Sequence, residues 1–265
     1  MAKKALCIGI NDYPGTGSDL TGCINDANDW AAELGARGYE VAKLLDKQAT
    51  RAAMIESIGT LVSTATEGDS IVITYSGHGT WAPDTSGDEP DGRDEALCPW
   101  DLTTKGPLLD DDLGQLFLHR RPGVRVLLLS DSCHSGSVTR GDDSDADPKA
   151  PRARFLPPAV WMKPNQLPPA ITRQPATVLS GLRRTGGDLL LAGCQDTEYS
   201  WDANFNNRPN GAFTYYALKT LKTLPANATY SQWFKAMRNY LPSSRYPQAP
   251  QLFGGASARR FKIFA

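Results

Sequence analysis

Short, continuous apolar runs, each closed by polar or glycine residues, recur along the chain. Ala5 to Ile10 is the first; it ends at Asn11, Asp12 and Pro14 and reads as a buried strand emptying into a loop. Tyr39 to Leu45, Ser70 to Tyr75, Val124 to Leu129 and Asp188 to Ala192 repeat the pattern, and a last strand is predicted over Phe261 to Phe264. Between the strands the spacing becomes helical. Asn25 to Leu34 reads as a helix, and Thr50 caps another that runs to about Ala65 with Ala53, Met54, Ile58, Leu61 and Val62 on one face. Shorter helices are predicted over Asp110 to Leu118, about Gly211 to Leu221 and about Ser231 to Tyr240. Apolar strands alternating with helices imply a mainly parallel sheet covered on both faces. Residues 140 to 180 break the rhythm. Eight of the nineteen prolines and the run Asp142-Asp143-Ser144-Asp145 fall there, predicting an exposed, mobile connector. Too few strands follow it to cover their own apolar faces, so the connector is expected to interrupt one sheet rather than to separate two domains.

With 265 residues, 40% hydrophobic and 22% charged, the composition is that of a folded globular chain. The balance of 28 basic against 29 acidic residues gives no global attraction to nucleic acid or to an anionic membrane, and neither partner is expected. No run reaches the roughly 18 apolar residues of a membrane span, and the N-terminus lacks the pattern of a signal peptide. A cytoplasmic location is the expectation. Five widely spaced cysteines without a CxxC pair argue against both a disulfide framework and a zinc site. Cys7, Cys98 and Cys194 read as packing residues, whereas Cys23, beside Asp26, either packs or lines a pocket.

Sites in open parallel sheets form outside the carboxyl ends of strands. The third strand runs into Tyr75-Ser76-Gly77-His78-Gly79, the fourth into Asp131-Ser132-Cys133-His134-Ser135-Gly136, and the first precedes Gly22-Cys23-Ile24-Asn25-Asp26. A histidine between two glycines just past a buried strand looks placed rather than packed. His119, beside Arg120 and Arg121, reads as a solvated or capping residue, and His134 is adjacent to Cys133, where side chains diverge. His78 therefore remains as the base that Cys133 needs for thiolate chemistry. A phosphatase loop fails on count: six residues separate Cys133 from Arg140, where that loop holds five. Gly15-Thr-Gly-Ser-Asp-Leu20 likewise lacks the third glycine of a nucleotide-binding turn.

The three strand-end motifs, with Leu190 to Cys194 and Asn210 to Thr214 further on, together resemble the caspase-like cysteine peptidases, most closely the type I metacaspases and the prokaryotic orthocaspases. The resemblance implies a three-layer, caspase-hemoglobinase-like α/β fold, with a mainly parallel central sheet and helices on both faces. It divides residues 1–265, one caspase-like domain, into a large-subunit-like part (1–139), a flexible connector (140–187) and a small-subunit-like part (188–265). It implies Cys133 as the nucleophile and His78 as the proton carrier, with Gly79 and Cys133 N–H groups holding the oxyanion. Asp26 and Asp131 would form an acidic specificity pocket with Ser76 and Cys23 on its wall. Two carboxylates suit an arginine or lysine side chain and repel aspartate, so cleavage after Arg or Lys is expected. The substrates would be proteins or peptides, and the enzyme a monomer. The alternative is a non-catalytic, peptide-binding scaffold of the same fold. The chain starts almost on its first strand, so recruitment through the N-terminal extension that many type I metacaspases carry is not expected.

Ten carboxylates crowd the stretch from Asp84 to Asp112, against Arg93 and Lys105. A solvated face accounts for such crowding; so does a Ca²⁺ site, since hard oxygen ligands suit that ion. The resemblance favours activating calcium held by Asp94, Asp110 and Asp111, because many metacaspases carry an Asp-Glu-x-x-x-Pro stretch and an Asp-Asp pair. Finally, Arg140, Lys149, Arg152, Arg154, Lys163, Arg173, Arg183 and Arg184 lie in or at the end of the connector. An enzyme that cuts after basic residues and carries them on a loop near its own site is expected to process itself.

Overall fold

The computed structural model describes residues 1–85, 87, 92–133, 150–166, 188–195 and 198–265. The strands are β1 (Lys3–Gly9), β2 (Glu40–Leu45), β3 (Ser70–Ser76), β4 (Gly79–Pro83), β5 (Arg93–Leu97), β6 (Leu108–Leu109), β7 (Arg125–Asp131), β8 (Arg152–Ala153), β9 (Leu189–Ala192), β10 (Trp201–Phe205), β11 (Arg208–Gly211) and β12 (Gln251–Phe253). The helices are α1 (Cys23–Ala36), α2 (Arg51–Thr64), α3 (Leu102–Lys105), α4 (Asp110–Leu118), α5 (Ala212–Leu221), α6 (Tyr230–Met237) and α7 (Ala256–Arg259).

Six strands make the central sheet in the order β12-β9-β7-β3-β1-β2. All neighbours are parallel except β12, which runs antiparallel to β9. Alternating residues of each strand face opposite sides. Leu6, Ile8, Ile71, Ile73, Val126 and Leu128 pack with Met54, Ile58 and Val62 of α2 and Leu113 and Phe117 of α4. Ala5, Cys7, Val72, Leu127 and Leu129 pack on the other face with Trp30 and Leu34 of α1, Phe213 and Ala217 of α5 and Trp233 of α6. This is the three-layer caspase-hemoglobinase arrangement, and it explains why the inner strands β1, β3, β7 and β9 are mostly apolar: both faces are covered there, while the edge strand β2 has no buried residue.

The helix over 51–64 begins where expected, with the Thr50 hydroxyl accepting the Ala53 N–H at 3.2 Å. The predicted strand over Phe261 to Phe264 is not formed. Those residues sit in turns, with one bridge from Lys262 to Thr229, while the Phe264 ring packs edge-on against Trp30, Trp233 and Tyr39. The sixth strand is instead β12. Two smaller three-stranded sheets, β4-β5-β6 and β11-β10-β8, were not apparent in the sequence. β8 corrects the reading of an exposed connector. Arg154 and Leu156 have no exposed surface and Phe155 retains 9%, because residues 152–156 thread between β10 and Gly79. The stretches 140–149 and 167–187 lie outside the described residues.

Candidate active site

Because β3 and β7 pair in register, Ser76 beside Asp131, the two chains leave the sheet side by side. This puts Gly77-His78 and Ser132-Cys133 at one strand-end cleft. The first loop is gripped by two tyrosines. Tyr13 Oη accepts the His78 N–H at 2.8 Å, and Tyr75 Oη donates to the His78 carbonyl at 2.6 Å. A side chain at position 77 would come within 2.5 Å and 2.6 Å of those hydroxyls, so glycine is required there. The His78 ring, 2% exposed, packs 4.8 Å from the Tyr13 ring, centroid to centroid. Its Nε2 lies 2.7 Å from the Ser18 carbonyl. A carbonyl only accepts, so the proton sits on Nε2 and the buried Nδ1 presents a lone pair that has no hydrogen-bond partner among the described residues. Burial holds the imidazole near pKa 4, against the pull of the Ser18 carbonyl toward the charged form.

Cys133 is fully buried. Its Sγ accepts the Ser200 N–H at 3.0 Å and sits in a small cluster with Phe155, Cys194, Trp81 and Tyr199. Cys194 is thus buried, as expected, but beside Cys133 rather than in either main core. A hydrogen bond with Cys133, followed by burial, pushes the Cys194 thiol well above the ordinary thiol range.

Three carboxylates converge below. Asp26, on the first turn of α1, accepts the Gly211 N–H at 3.0 Å and Asn210 Nδ2 at 2.9 Å. Asp131, the last residue of β7, accepts Thr214 N–H at 2.9 Å, Thr214 Oγ1 at 2.8 Å and the Ser200 hydroxyl. Asp202, on β10, accepts Thr21 N–H at 2.8 Å and Gly22 N–H at 3.0 Å. The Arg154 guanidinium lies among them, its Nη2 at 2.7 Å from Asp26 and 2.9 Å from Asp202, its Nη1 at 3.2 Å from Asp131. Burial opposes the guanidinium charge, but Asp131, Asp26 and Asp202 more than offset it. One arginine cannot neutralise three carboxylates. Asp26 absorbs part of the surplus: burial raises its pKa to about 7 despite Arg154, with Asp131 adding to the rise.

The main chain of the same residue touches the other half of the site. The Arg154 carbonyl accepts the Gly79 N–H at 3.0 Å and the Cys133 N–H at 3.2 Å, and its own N–H donates to the Ser200 carbonyl at 2.8 Å. His78, Gly79, Cys133, Asp26 and Asp131 therefore surround one residue. Cys23 is buried and feels the Arg154 charge, and Ser76 is buried at the end of β3. Asp202, Ser200 and Tyr13 were not found from the sequence, because none belongs to a motif; Tyr75 stood there only as the first residue of its motif, and Arg154 only as one of the connector's basic residues. His119 is at the C-terminal end of α4, its Nδ1 3.1 Å from the Gln115 carbonyl. His134 lies outside the described residues.

The acidic stretch behaves differently. Asp94 on β5 and Asp110 at the start of α4 are buried, and Asp111 is partly so. Among the described residues no group of three His, Cys, Asp or Glu side chains converges as a cation site. The mechanism of peptide-bond cleavage is derived without a calcium ion. Asp88, Glu89 and Asp91 lie outside the described residues.

Fold and site together define a caspase-like architecture with a thiol, an imidazole and an acidic pocket at one cleft. The family model "Metacaspase, peptidase C14 domain" matches residues 3–140. Metacaspase-1B of Aspergillus oryzae is 31% identical over 94% of this chain and 67% of its own, and Metacaspase-1 of Mycosarcoma maydis is 33% identical over 94% and 69%. The crystal structure of protein GSU0716 from Geobacter sulfurreducens covers 100% of this chain and 99% of its own at 32% identity, with a TM-score of 0.74. The chain belongs to the metacaspases, a family of cysteine peptidases. Among the described residues no helix is long and apolar enough to cross a membrane.

Proposed function

We propose that the chain is a cysteine endopeptidase that cuts peptide bonds after arginine or lysine, with Cys133 as nucleophile and His78 as its proton carrier. One observation carries the reading. A guanidinium is fully enclosed by Asp26, Asp131 and Asp202 while the carbonyl of the same residue accepts hydrogen bonds from Gly79 and Cys133. A basic side chain in the pocket thereby delivers its own carbonyl to a pair of N–H groups beside the thiol. Those donors are placed to hold the oxygen as charge develops on it.

In the reaction the Nδ1 lone pair of His78 takes the Cys133 proton, and sulfur attacks the carbonyl carbon of the basic residue. The C–N bond breaks as Nδ1–H protonates the departing amine, leaving a thioester. Water then gives a proton to Nδ1, its hydroxide attacks the thioester, and the carboxylic acid and the thiol are released. Ser18, by holding Nε2–H, keeps Nδ1 free for each transfer.

The same reading includes self-processing between the two parts of the chain and action on cytoplasmic proteins or peptides as a monomer. Calcium activation belongs to it on the strength of the acidic stretch. A panel of peptide amides varied at the residue before the cut, assayed with and without calcium, tests activity, specificity and metal together. Hydrolysis after Arg and Lys, none after Asp, and none by Cys133→Ala are expected. Preference for Asp, or no turnover with the thiol reduced and the protein folded, overturns the reading; the latter result identifies a peptide-binding scaffold.

A further inference from the structure

Residues 152–156 lie across the cleft as a substrate would, and we infer that the Arg154–Phe155 peptide bond is the bond this enzyme cuts in itself. The inference rests on the peptidase reading above and specifies its target. Each part of the segment has its own place. Ahead of the bond, β8 pairs antiparallel with β10, Ala153 opposite Trp201. At the bond, the Arg154 side chain fills the acidic pocket and its carbonyl accepts the Gly79 and Cys133 N–H groups. Behind the bond, Phe155 packs with Cys133, Cys194, Trp81 and Tyr199, and the Leu156 N–H donates to the Gly79 carbonyl at 2.9 Å. Arg152 and Lys163, the other described basic residues of this stretch, take other positions. Arg152 is exposed and donates to the Asp19 carbonyl, and Lys163 lies beyond the turn at 158–160.

The step balances within the chain. Cys133 Sγ bonds to the Arg154 carbonyl carbon, the bond to the Phe155 nitrogen breaks, and His78 passes the thiol proton to that nitrogen. Water then releases Arg154 as a new C-terminal carboxylate and restores the thiol. The products are residues 1–154 and 155–265. While the segment is in place no second arginine can enter the pocket, so the uncut chain is self-blocked.

Intact-mass analysis and N-terminal sequencing test this, with and without calcium, alongside hydrolysis of an arginyl peptide amide. The variants are Cys133→Ala, Arg154→Lys, Arg154→Gln and Phe155→Pro. In the parallel pairing with Gly79 the bonded groups belong to Arg154 and Leu156, so proline at 155 removes no ladder bond. Wild type is expected to yield a fragment beginning Phe155-Leu156-Pro157. Arg154→Lys should be cut at the same bond, while Cys133→Ala, Arg154→Gln and Phe155→Pro stay whole there. A wild type that hydrolyses the amide but leaves bond 154–155 intact, or is cut only elsewhere, overturns the inference and leaves the peptidase reading standing. A wild type that does neither overturns both.

Discussion

A guanidinium with no exposed surface needs its counter-charges inside the protein, and Arg154 takes them from three distant points of the chain. Asp202 is the contributor that no motif announces, and replacing it with Asn removes a charge-assisted contact worth about 1.5–3 kcal/mol. The expected result is a drop of about 10- to 100-fold in kcat/KM for arginyl amides, with no gain for aspartyl ones. His78 and Asp26 set opposing pH dependences. His78 falls from its ordinary 6.5 to about 4, so the stability it contributes is full above pH 6.5 and is lost as pH drops toward 4. Asp26 rises from 3.8 to about 7, so its contribution is full below pH 3.8 and is lost as pH climbs through 7. In an uncut Cys133→Ala background the two should largely cancel between about pH 4 and 6.5. Urea unfolding across that window should show stability rising with pH after Asp26→Asn and falling with pH after His78→Asn. His78 and Cys133 were legible because each follows an unbroken apolar run and is flanked by residues that weaken regular structure. Arg154 stood only as one of eight basic residues in or at the end of the connector, since a cation in a proline-rich stretch reads as solvated until its carboxylates are known.

At the scale of elements, β1, β3, β7 and β9 were readable because both sheet faces are covered there, which makes each of them mostly apolar, whereas the edge strand β2 keeps Glu40 and Lys43 and is only partly covered. Phe261 to Phe264 carries the same signal for a different reason: Phe264 fills a space between Trp30 and Trp233 from a turn. The true sixth strand, three residues long, is too short to show a pattern. The β10-β11 hairpin was hidden by its polar residues, although it builds one wall of the acidic pocket. Gly211 at its end has no room for a side chain, because a methyl there overlaps the Asp131 carboxylate and the Arg154 guanidinium. Gly211→Ala should therefore abolish hydrolysis of arginyl amides while α5, which starts at the next residue, keeps its circular-dichroism signal. Far from the cleft, Thr50→Ala removes the cap of α2 and should cost about 1 kcal/mol in urea unfolding without altering kcat/KM.

For the molecule as a whole, the connector joins strands of one sheet. β1, β2, β3 and β7 precede it and β9 and β12 follow, with β7 hydrogen-bonded to β9. Cutting at residue 154 leaves those contacts intact, so the two products should migrate together in native size exclusion and separate only under denaturing conditions. An uncut chain assayed at once should show a lag before steady turnover as the blocked clefts open.

One sulfur, that of Cys133, serves a pocket built for a basic side chain. Peptidyl ketones that alkylate active-site thiols, one ending in arginine and one in aspartate, offer the most direct measurement when the adduct is located by mass spectrometry on the processed enzyme. An arginyl adduct on Cys133 that disappears in His78→Ala is expected, with no aspartyl adduct. An aspartyl adduct on Cys133, or an arginyl adduct on Cys23 or Cys194 with Cys133 unmodified, would contradict that assignment.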